Sequence, residues 1–291
     1  MELETGTDDL LARVQDGVAV ITLNRPERRN AFSIEMLQAF GRLLADIELN
    51  DDVAAVLLTG AGGAFSAGGD VKGFASQAAA AGAAGAGAAS GAESAAGSRA
   101  GLPSSFDRSV HLQRIMQRET SGRLFNMPKP TLAALPGPAA GAGFALALAC
   151  DLRMAASGAI LTTAFAKVGF SGDYGGTWFL SRLVGLGKAK ELYFLSERID
   201  ADEAHRLGIV NWVVEPDQLE ERAFEMARRL AHGPTIAYRY MKENLNRAVV
   251  GPLEDCMDLE VTHHQRCGFT EDHQEAARAF VEKREPTFRG R

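Results

Sequence analysis

Cysteine is scarce and scattered in this sequence. Three cysteines, Cys150, Cys256 and Cys267, occur among 291 residues, and no two of them form a C-x-x-C pair. Such a pattern argues against a disulfide framework. We therefore expect a reducing, cytoplasmic environment for the protein.

Long apolar runs and an excess of positive charge are absent as well. Gly, Asp or Arg interrupts the apolar stretches well before the roughly 18 residues that a membrane span needs. The first residues, MELETGTDDLLARV, lack the basic and then apolar pattern of an export signal. The net charge of -6 argues against a general binder of nucleic acid or membrane surfaces. We expect neither among the partners.

A metal site has little support in the sequence. His263 and His264 lie near Cys267 in a segment with a helical pattern. A zinc site needs a second, correctly spaced pair of ligands, and this segment has none. The sequence therefore predicts no metal.

An alternation of strand and helix patterns is present. DGVAVITLNRP, AAVLLTGAG, KPTLAALPG and LRMAASGA have the composition of strands. Between them, apolar residues recur at helical spacing after Ser33, a candidate N-cap, and again in AGFALALACD. This order predicts an α/β fold with mainly parallel strand pairing. After about Gly187 the patterns are mostly helical, which predicts a helical extension.

Residues 73–107 are rich in Ala, Gly and Ser. Because this stretch has almost nothing to bury, it predicts a flexible surface loop. A loop of this length directly after a glycine turn is either a lid or binding loop or a tolerated insertion without a role. The sequence leaves both interpretations open.

Two glycine turns follow predicted strands, TGAGGAFSAGGD at residues 59–70 and PGPAAGAGFAL at residues 136–146. Neither fits the G-x-G-x-x-G dinucleotide fingerprint, because Phe65 and Leu146 stand where the third glycine is required. Small residues in a turn also expose backbone N–H groups to a ligand oxygen. Two such turns could form an oxyanion hole. Ordinary close packing is the alternative, and the residues alone do not decide between them.

Five long motifs, in order along the chain, resemble the crotonase, or enoyl-CoA hydratase/isomerase, superfamily. They are ITLNRPERRNAFS, VLLTGAGGAFSAGGDVK, KPTLAALPGPAAGAGFALALACDLRMAA, the stretch from FAKVGFSGDYGGTW to GIVNWVV, and AFVEKREPTFRG. The resemblance implies a spiral of β-β-α units over residues 1–195. It also implies a helical C-terminal region, residues 196–291, that mediates trimerisation, with trimers often paired into hexamers.

The resemblance further implies an acyl-CoA thioester as the substrate. The backbone N–H groups of Gly69 and Ala142 would form the oxyanion hole for the thioester carbonyl. Ala67 and the adjoining Gly68 would hold the adenine end of CoA. CoA enters as part of the substrate, so we expect no separate cofactor.

Basic residues complete the implied CoA site. Arg28 and Arg29, together with Arg25, stand where the family contacts the CoA phosphates. Lys283 matches a position that can reach the CoA phosphates of a neighbouring subunit. A solvated surface is the alternative for each of these side chains.

The sequence departs from family hydratases at two positions. Those enzymes carry two glutamates where this chain has Ala145 and Phe165. Hydration needs both a base and an acid, so this departure disfavours it. Asp173 in GDYGGTW is the carboxylate that remains, and it resembles the aspartate of the isomerase branch found in phenylacetate degradation. A helix N-cap is the alternative role for Asp173.

The residues around Asp173 are apolar, with Phe165, Tyr174 and Trp178 predicted to shape the acyl pocket. Such surroundings disfavour the charged carboxylate and make it a stronger base. The leading hypothesis is an enoyl-CoA isomerase in which Asp173 shuttles a proton while Gly69 and Ala142 hold the enolate. The alternatives are an enoyl-CoA hydratase that uses Asp173 and an ordered water, and a catalytically silent acyl-CoA-binding protein.

Overall fold

The computed structural model describes residues 1–70 and 105–291. Its strands are β1 (Glu2–Leu3), β2 (Leu10–Gln15), β3 (Val18–Leu23), β4 (Ala55–Gly60), β5 (Thr131–Leu135), β6 (Ala139–Ala140), β7 (Leu152–Ala156), β8 (Ile160–Thr162), β9 (Ile199–Asp200) and β10 (Trp212–Val214). They form a larger sheet of order β1-β2-β3-β4-β5-β7-β10 and a smaller one of order β6-β8-β9. Together with the helices they make an α/β fold with a mixed sheet.

Strand pairing in the larger sheet changes from antiparallel to parallel at β3. The first three strands pair in an antiparallel manner, whereas β3, β4, β5, β7 and β10 pair in parallel. The prediction of mainly parallel pairing is confirmed for this part of the sheet. The N-terminal hairpin is not anticipated by the sequence patterns, because LLARVQ begins with two consecutive leucines and shows no clear alternation.

The helices are α1 (Ile34–Leu49), α2 (Ser105–Gln117), α3 (Arg123–Asn126), α4 (Ala142–Ala149), α5 (Gly176–Leu195), α6 (Ala201–Arg206), α7 (Leu219–Ala231), α8 (Thr235–Ala248), α9 (Leu253–Gly268) and α10 (Glu271–Glu282). A π-helical turn at Arg118–Gly122 joins α2 to α3. As predicted, Ser33 caps α1, and its hydroxyl oxygen accepts a hydrogen bond from the Met36 N–H at 3.0 Å. Within the described ranges, no helix is long and apolar enough to cross a membrane.

Two apolar layers cover the larger sheet because successive strand residues point to opposite faces. Ile21 and Leu58 pack on one face with α1 and α4. Val20 and Leu57 pack on the other face against α7. Every residue of α4 is buried, so this helix is apolar on all sides and lies inside the core.

Two strands lie beyond the predicted boundary at residue 195. β9 pairs with β8, and β10 extends the larger sheet beside β7. From Leu219 onward the described elements are the helices α7 to α10, which confirms a helical C-terminal region. The division of the chain into 1–195 and 196–291 stays a prediction.

The predicted loop at 73–107 is tested only at its end. Residues 73–104 lie outside the described residues. Residues 105–107 form the start of α2, so the predicted loop ends too late. The helix begins inside the polar stretch SSFD, before the apolar residues whose spacing would indicate a helix. The sequence pattern therefore places its start too late.

One largely buried lysine side chain joins the C-terminal helices to the core. Lys242 of α8 donates hydrogen bonds to the Leu124 carbonyl at 2.9 Å, to the Lys129 carbonyl at 3.1 Å and to the Asp151 carboxylate at 2.9 Å. Asp151 also accepts from the N–H of Thr131 at 2.7 Å. Asp151, which follows α4, therefore has a structural role.

Replacement of this lysine tests the join. We expect Lys242→Met to lower the free energy of unfolding by about 2–4 kcal/mol, because it leaves the partly buried Asp151 carboxylate and two carbonyls without their donor. Lys188→Met is the matched control, since Lys188 pairs with Glu191 on the exposed face of α5, and should cost about 0–1 kcal/mol. Urea denaturation measures both; equal losses in the two variants would contradict the structural role.

Candidate active site

The two glycine turns lie directly against each other. Ser66 and Ala139 form a parallel bridge, and the Ala140 N–H donates to the Ser66 carbonyl at 2.9 Å. At Gly68, whose φ is +86°, a Cβ would lie 2.7 Å from the Ala140 oxygen and 3.0 Å from the Ala142 nitrogen. Only glycine permits both this backbone conformation and this close approach.

The predicted donor amides lie on these adjoining turns. Ala142 is the first residue of α4, where an N–H has no acceptor within its own helix. Among the residues that the structure describes, neither the Ala142 N–H nor the Gly69 N–H donates a hydrogen bond. Gly69 is half-buried and Ala142 is buried. The turns therefore offer two unpaired amides, one of them at the positive end of a helix.

Asn30 connects the turn at residues 25–29, here called the arginine turn, to the first glycine turn at residues 59–70. It is fully buried, and its side-chain amide donates to the carbonyls of Ala61 at 2.9 Å and Ala64 at 2.8 Å. Its side-chain oxygen accepts from the Arg25 N–H at 2.8 Å. The sequence analysis misses this residue. The sequence offers one indication of this residue, an asparagine in a predicted turn. Asn tolerates the left-handed backbone conformation, which Asn30 adopts here at φ 56°.

The three arginines of this turn differ in their contacts. Arg25 donates to the Ala31 carbonyl at 2.7 Å and pairs with Asp9 at 3.3 Å and Asp70 at 3.8 Å. It therefore braces the turn, as does Asp70, instead of lying open to a ligand. Arg28 and Arg29 are exposed beside Ala67, which is also exposed. The Arg29 carbonyl accepts from the Ala67 N–H at 2.8 Å, so these residues adjoin the first glycine turn.

Asp173 lies in a tight turn before α5. Gly172, Tyr174 and Gly175 all have positive φ values, and the Asp173 carbonyl accepts from the Gly176 N–H at 3.0 Å. Gly175 is the N-cap residue, and no side chain caps this helix. The N-cap alternative for Asp173 is therefore wrong.

The Asp173 side chain is half-buried, and one of its carboxyl oxygens is enclosed. Its Oδ1 is fully enclosed and has no hydrogen-bond partner among the residues described. Burial raises the pKa of this carboxyl to about 6. A carboxylate with such a pKa is partly ionised near neutral pH and is a stronger base than an exposed aspartate.

Aromatic rings connect Asp173 to the glycine turns. Tyr174 is buried and makes an edge contact with Phe32, with ring centroids 5.9 Å apart, and the Phe32 N–H donates to the Gly68 carbonyl at 2.7 Å. Phe165 lies close to Gly141, the residue before Ala142. Phe165 and Tyr174 therefore lie near the glycine turns, and their role in shaping an acyl pocket stays a prediction.

Tyr193 is a member of this site that the sequence analysis misses. Its ring stacks on Phe165 with centroids 5.9 Å apart, and its hydroxyl lies beside Gly176. It stands near the C-terminal end of α5, twenty residues after Asp173, and the helical spacing there gives no sign that it faces the turn. Burial, and then the charge of Asp173, raises the pKa of Tyr193, so its hydroxyl stays neutral and able to donate.

Trp178 and Lys283 are not brought to the glycine turns. Trp178 contacts Phe125 at a centroid distance of 5.0 Å and stacks under the Arg182 guanidinium at 3.8 Å. The cavity of about 570 Å³ that it lines is bounded by α8 and contains none of Asp173, Gly69 and Ala142. Lys283 is exposed at the end of α10. Its predicted contact with a neighbouring subunit stays a prediction.

His263 has packing partners in place of metal ligands. It is buried, its Nδ1 lies 2.6 Å from the Asn244 side-chain oxygen, and its ring stacks on Tyr240 at 4.2 Å. Across residues 1–70 and 105–291, no group of three His, Cys, Asp or Glu side chains is placed to hold a metal ion.

Two unpaired amides on adjoining turns, linked through Tyr174 and Phe32 to a half-buried carboxylate, are compatible with the stabilisation of an oxyanion. A family model described as enoyl-CoA hydratase/isomerase matches residues 13–92 and 106–291. The chain belongs to this family, which acts on acyl-CoA thioesters.

Similar proteins include both isomerases and hydratases. The chain is 34% identical to 1,2-epoxyphenylacetyl-CoA isomerase of Escherichia coli K12, over 97% of this chain and 98% of that protein. It is 33% identical to the short-chain-enoyl-CoA hydratase of Clostridium acetobutylicum, over 95% and 96%. The solved structure of an enoyl-CoA hydratase from Bacillus anthracis has a TM-score of 0.81 at 32% identity, over 97% of this chain and all of that one.

The close contact between the two glycine turns requires glycine at position 68, and a substitution tests this requirement. We expect Gly68→Ala to lower kcat on an acyl-CoA substrate about 100-fold or more, because the new Cβ forces the amides of the two turns apart. Gly63→Ala is the matched control: its φ of +74° is similar, but nothing lies within 4 Å of the added Cβ. The control should lose about 1 kcal/mol of stability and little activity. Steady-state kinetics with parallel thermal unfolding measures both, and equal kcat in the two variants would contradict the requirement.

Proposed function

We propose that the protein is an acyl-CoA isomerase that moves a carbon–carbon double bond along the acyl chain. The observation that carries the proposal is the half-buried carboxylate of Asp173, whose enclosed Oδ1 has no hydrogen-bond partner among the described residues. The amides of Gly69 and Ala142 are the second element. Together they match a reaction that removes one proton and places it elsewhere on the same substrate.

The two amides stabilise the charge that forms when a proton leaves Cα. The thioester oxygen becomes an enolate oxygen in that step, and it accepts hydrogen bonds from the N–H groups of Gly69 and Ala142. Each such donor contributes roughly 3–4 kcal/mol in enzymes where it has been removed. A dienolate of a 3-enoyl thioester is therefore held between the two proton transfers.

Asp173 performs both proton transfers. Its carboxylate takes a proton from Cα of the 3-enoyl chain, and the electron pair moves into the dienolate. The carboxylic acid then returns the proton to Cγ, which leaves the double bond between Cα and Cβ conjugated with the carbonyl. Atoms and charge balance without water, and a pKa of about 6 suits a group that must both take and give a proton.

Apolar side chains at two positions argue against hydration. Ala145 and Phe165 stand where family hydratases carry glutamates, and both are buried. No second carboxylate is therefore supplied at these positions to activate water while Asp173 handles the proton. The hydratase alternative keeps one point in its favour, which is the similarity to a short-chain-enoyl-CoA hydratase.

The CoA moiety is proposed to lie along the first glycine turn. Ala67 and Gly68 would hold its adenine end, with Arg28 and Arg29 at the phosphates. Both arginines are exposed, and neither forms an ion pair with a described residue. Lys283 of a neighbouring subunit would add a further positive charge in a trimer or hexamer. CoA is part of the substrate, and no other cofactor enters the scheme.

A panel of acyl-CoA esters tests the proposed reaction. We expect a 3-enoyl-CoA to gain the absorbance of a conjugated enoyl thioester, while a 2-enoyl-CoA keeps it. Asp173→Asn should lower this turnover about 10⁴-fold or more, because the amide cannot accept the proton, while the affinity for a saturated acyl-CoA changes little. Absorbance and mass follow the reaction, and calorimetry follows binding.

The matched control for this variant is Asp217→Asn, since Asp217 is an exposed carboxylate far along the chain from the turn. It should retain full turnover. Loss of the absorbance of a 2-enoyl-CoA with a mass gain of one water would favour the hydratase. Tight binding without any change in the esters would favour a silent acyl-CoA-binding protein.

A further inference from the structure

Tyr193 is wedged between the two glycines that flank Asp173. A Cβ at Gly172 would lie 3.1 Å from the Tyr193 ring, and a Cβ at Gly176 would lie 2.6 Å from its hydroxyl oxygen. The turn can therefore pack against this ring only because both positions lack a side chain. The stacking on Phe165 fixes the ring from its other side.

The Tyr193 hydroxyl and the Asp173 carboxylate are complementary neighbours. Oδ1 of Asp173 is enclosed and has no hydrogen-bond partner among the described residues, and the charge of Asp173 acts on the Tyr193 hydroxyl. A phenol hydroxyl is a donor, and an ionised carboxylate only accepts. An enclosed anionic oxygen without a donor carries a large desolvation cost, which a neighbouring hydroxyl removes.

We propose that Tyr193 is a positioning residue for Asp173: when the carboxyl ionises, the phenol turns so that its hydroxyl donates to the enclosed oxygen, which has no partner among the described residues. The other carboxylate oxygen is then free to exchange a proton with the substrate. This inference rests on the proposed function for its role in catalysis. The hydrogen bond itself depends only on the two side chains.

Two titratable groups face the Asp173 carboxyl, Tyr174 from its own turn and Tyr193 from α5; burial, and then the charge of Asp173, raises the pKa of each. The elements packed against the turn add uncharged groups, Gln117 of α2 and Ala145 of α4. Tyr174 is the weaker candidate because its ring is directed at Phe32. Burial is the resolved cause of the Asp173 shift, so no described charged group competes.

The first experiment is the pH profile of kcat/KM for Tyr193→Phe, with Tyr240→Phe as the matched control, since the Tyr240 ring stacks on His263 outside the site. The profile should rise with pH as Asp173 ionises, because the carboxylate is the active form. Removal of the Tyr193 hydroxyl should move the half-maximal pH upward by about one pH unit, since the ionised form loses its donor. Tyr240→Phe should leave the profile in place. Superimposable profiles for Tyr193→Phe and the unchanged chain, or equal shifts in both variants, would overturn the proposal.

The second experiment needs no activity. The pKa of Asp173 is raised in the folded chain from 3.8 to about 6. The protonated carboxyl therefore contributes to the free energy of unfolding below pH 3.8, and this contribution is lost as the pH rises through about 6. Asp173→Asn should therefore raise the melting temperature at pH 8 and change it little near pH 4. The gain at pH 8 should be larger when Tyr193→Phe is also present. If Asp173→Asn raises the melting temperature equally with and without Tyr193→Phe, the inference is overturned. If the rise is larger with Tyr193→Phe but the protein has no isomerase turnover, only the proposed function is refuted.

Discussion

The contact between the two glycine turns is the constraint on which the site depends. Gly68 lets the backbone of the first turn approach the start of α4, and the Ser66–Ala140 hydrogen bond holds the turns in register. Asn30 then fixes the first turn to the preceding strand connection. The small residues are therefore needed for packing and for exposure of the amides alike. The two interpretations that the sequence leaves open describe one arrangement.

Partial burial of Asp173 is costly for the fold and useful for the proposed reaction. The carboxyl lies near Tyr174 and Tyr193, and its burial disfavours the ionised form. Functional sites commonly keep such unfavourable groups because their reactivity requires them. Well-packed surroundings offset the free-energy cost of this half-buried carboxyl. They include the buried helix α4 and the ion pair between Lys242 and Asp151.

Much of this arrangement is predictable from the sequence because it depends on local patterns. Ser33 and the apolar spacing after it predict α1. The two glycine turns leave an oxyanion hole open as one interpretation, and the family resemblance then assigns Gly69 and Ala142 to it. The roles of Asn30 and Tyr193 are not predictable in this way, because they depend on contacts between residues distant in the chain. The short strands β9 and β10 are missed for the same reason: each is defined by its partner strand rather than by its own composition.

The central claim is that one carboxylate carries a proton from one carbon of the acyl chain to another. The most direct measurement uses a 3-enoyl-CoA labelled with deuterium at Cα, converted in ordinary water and analysed by mass spectrometry and NMR. The account predicts that part of the product carries deuterium at Cγ and that no product gains the mass of water. A product that contains added water, or one in which Cγ never carries the label, would contradict it.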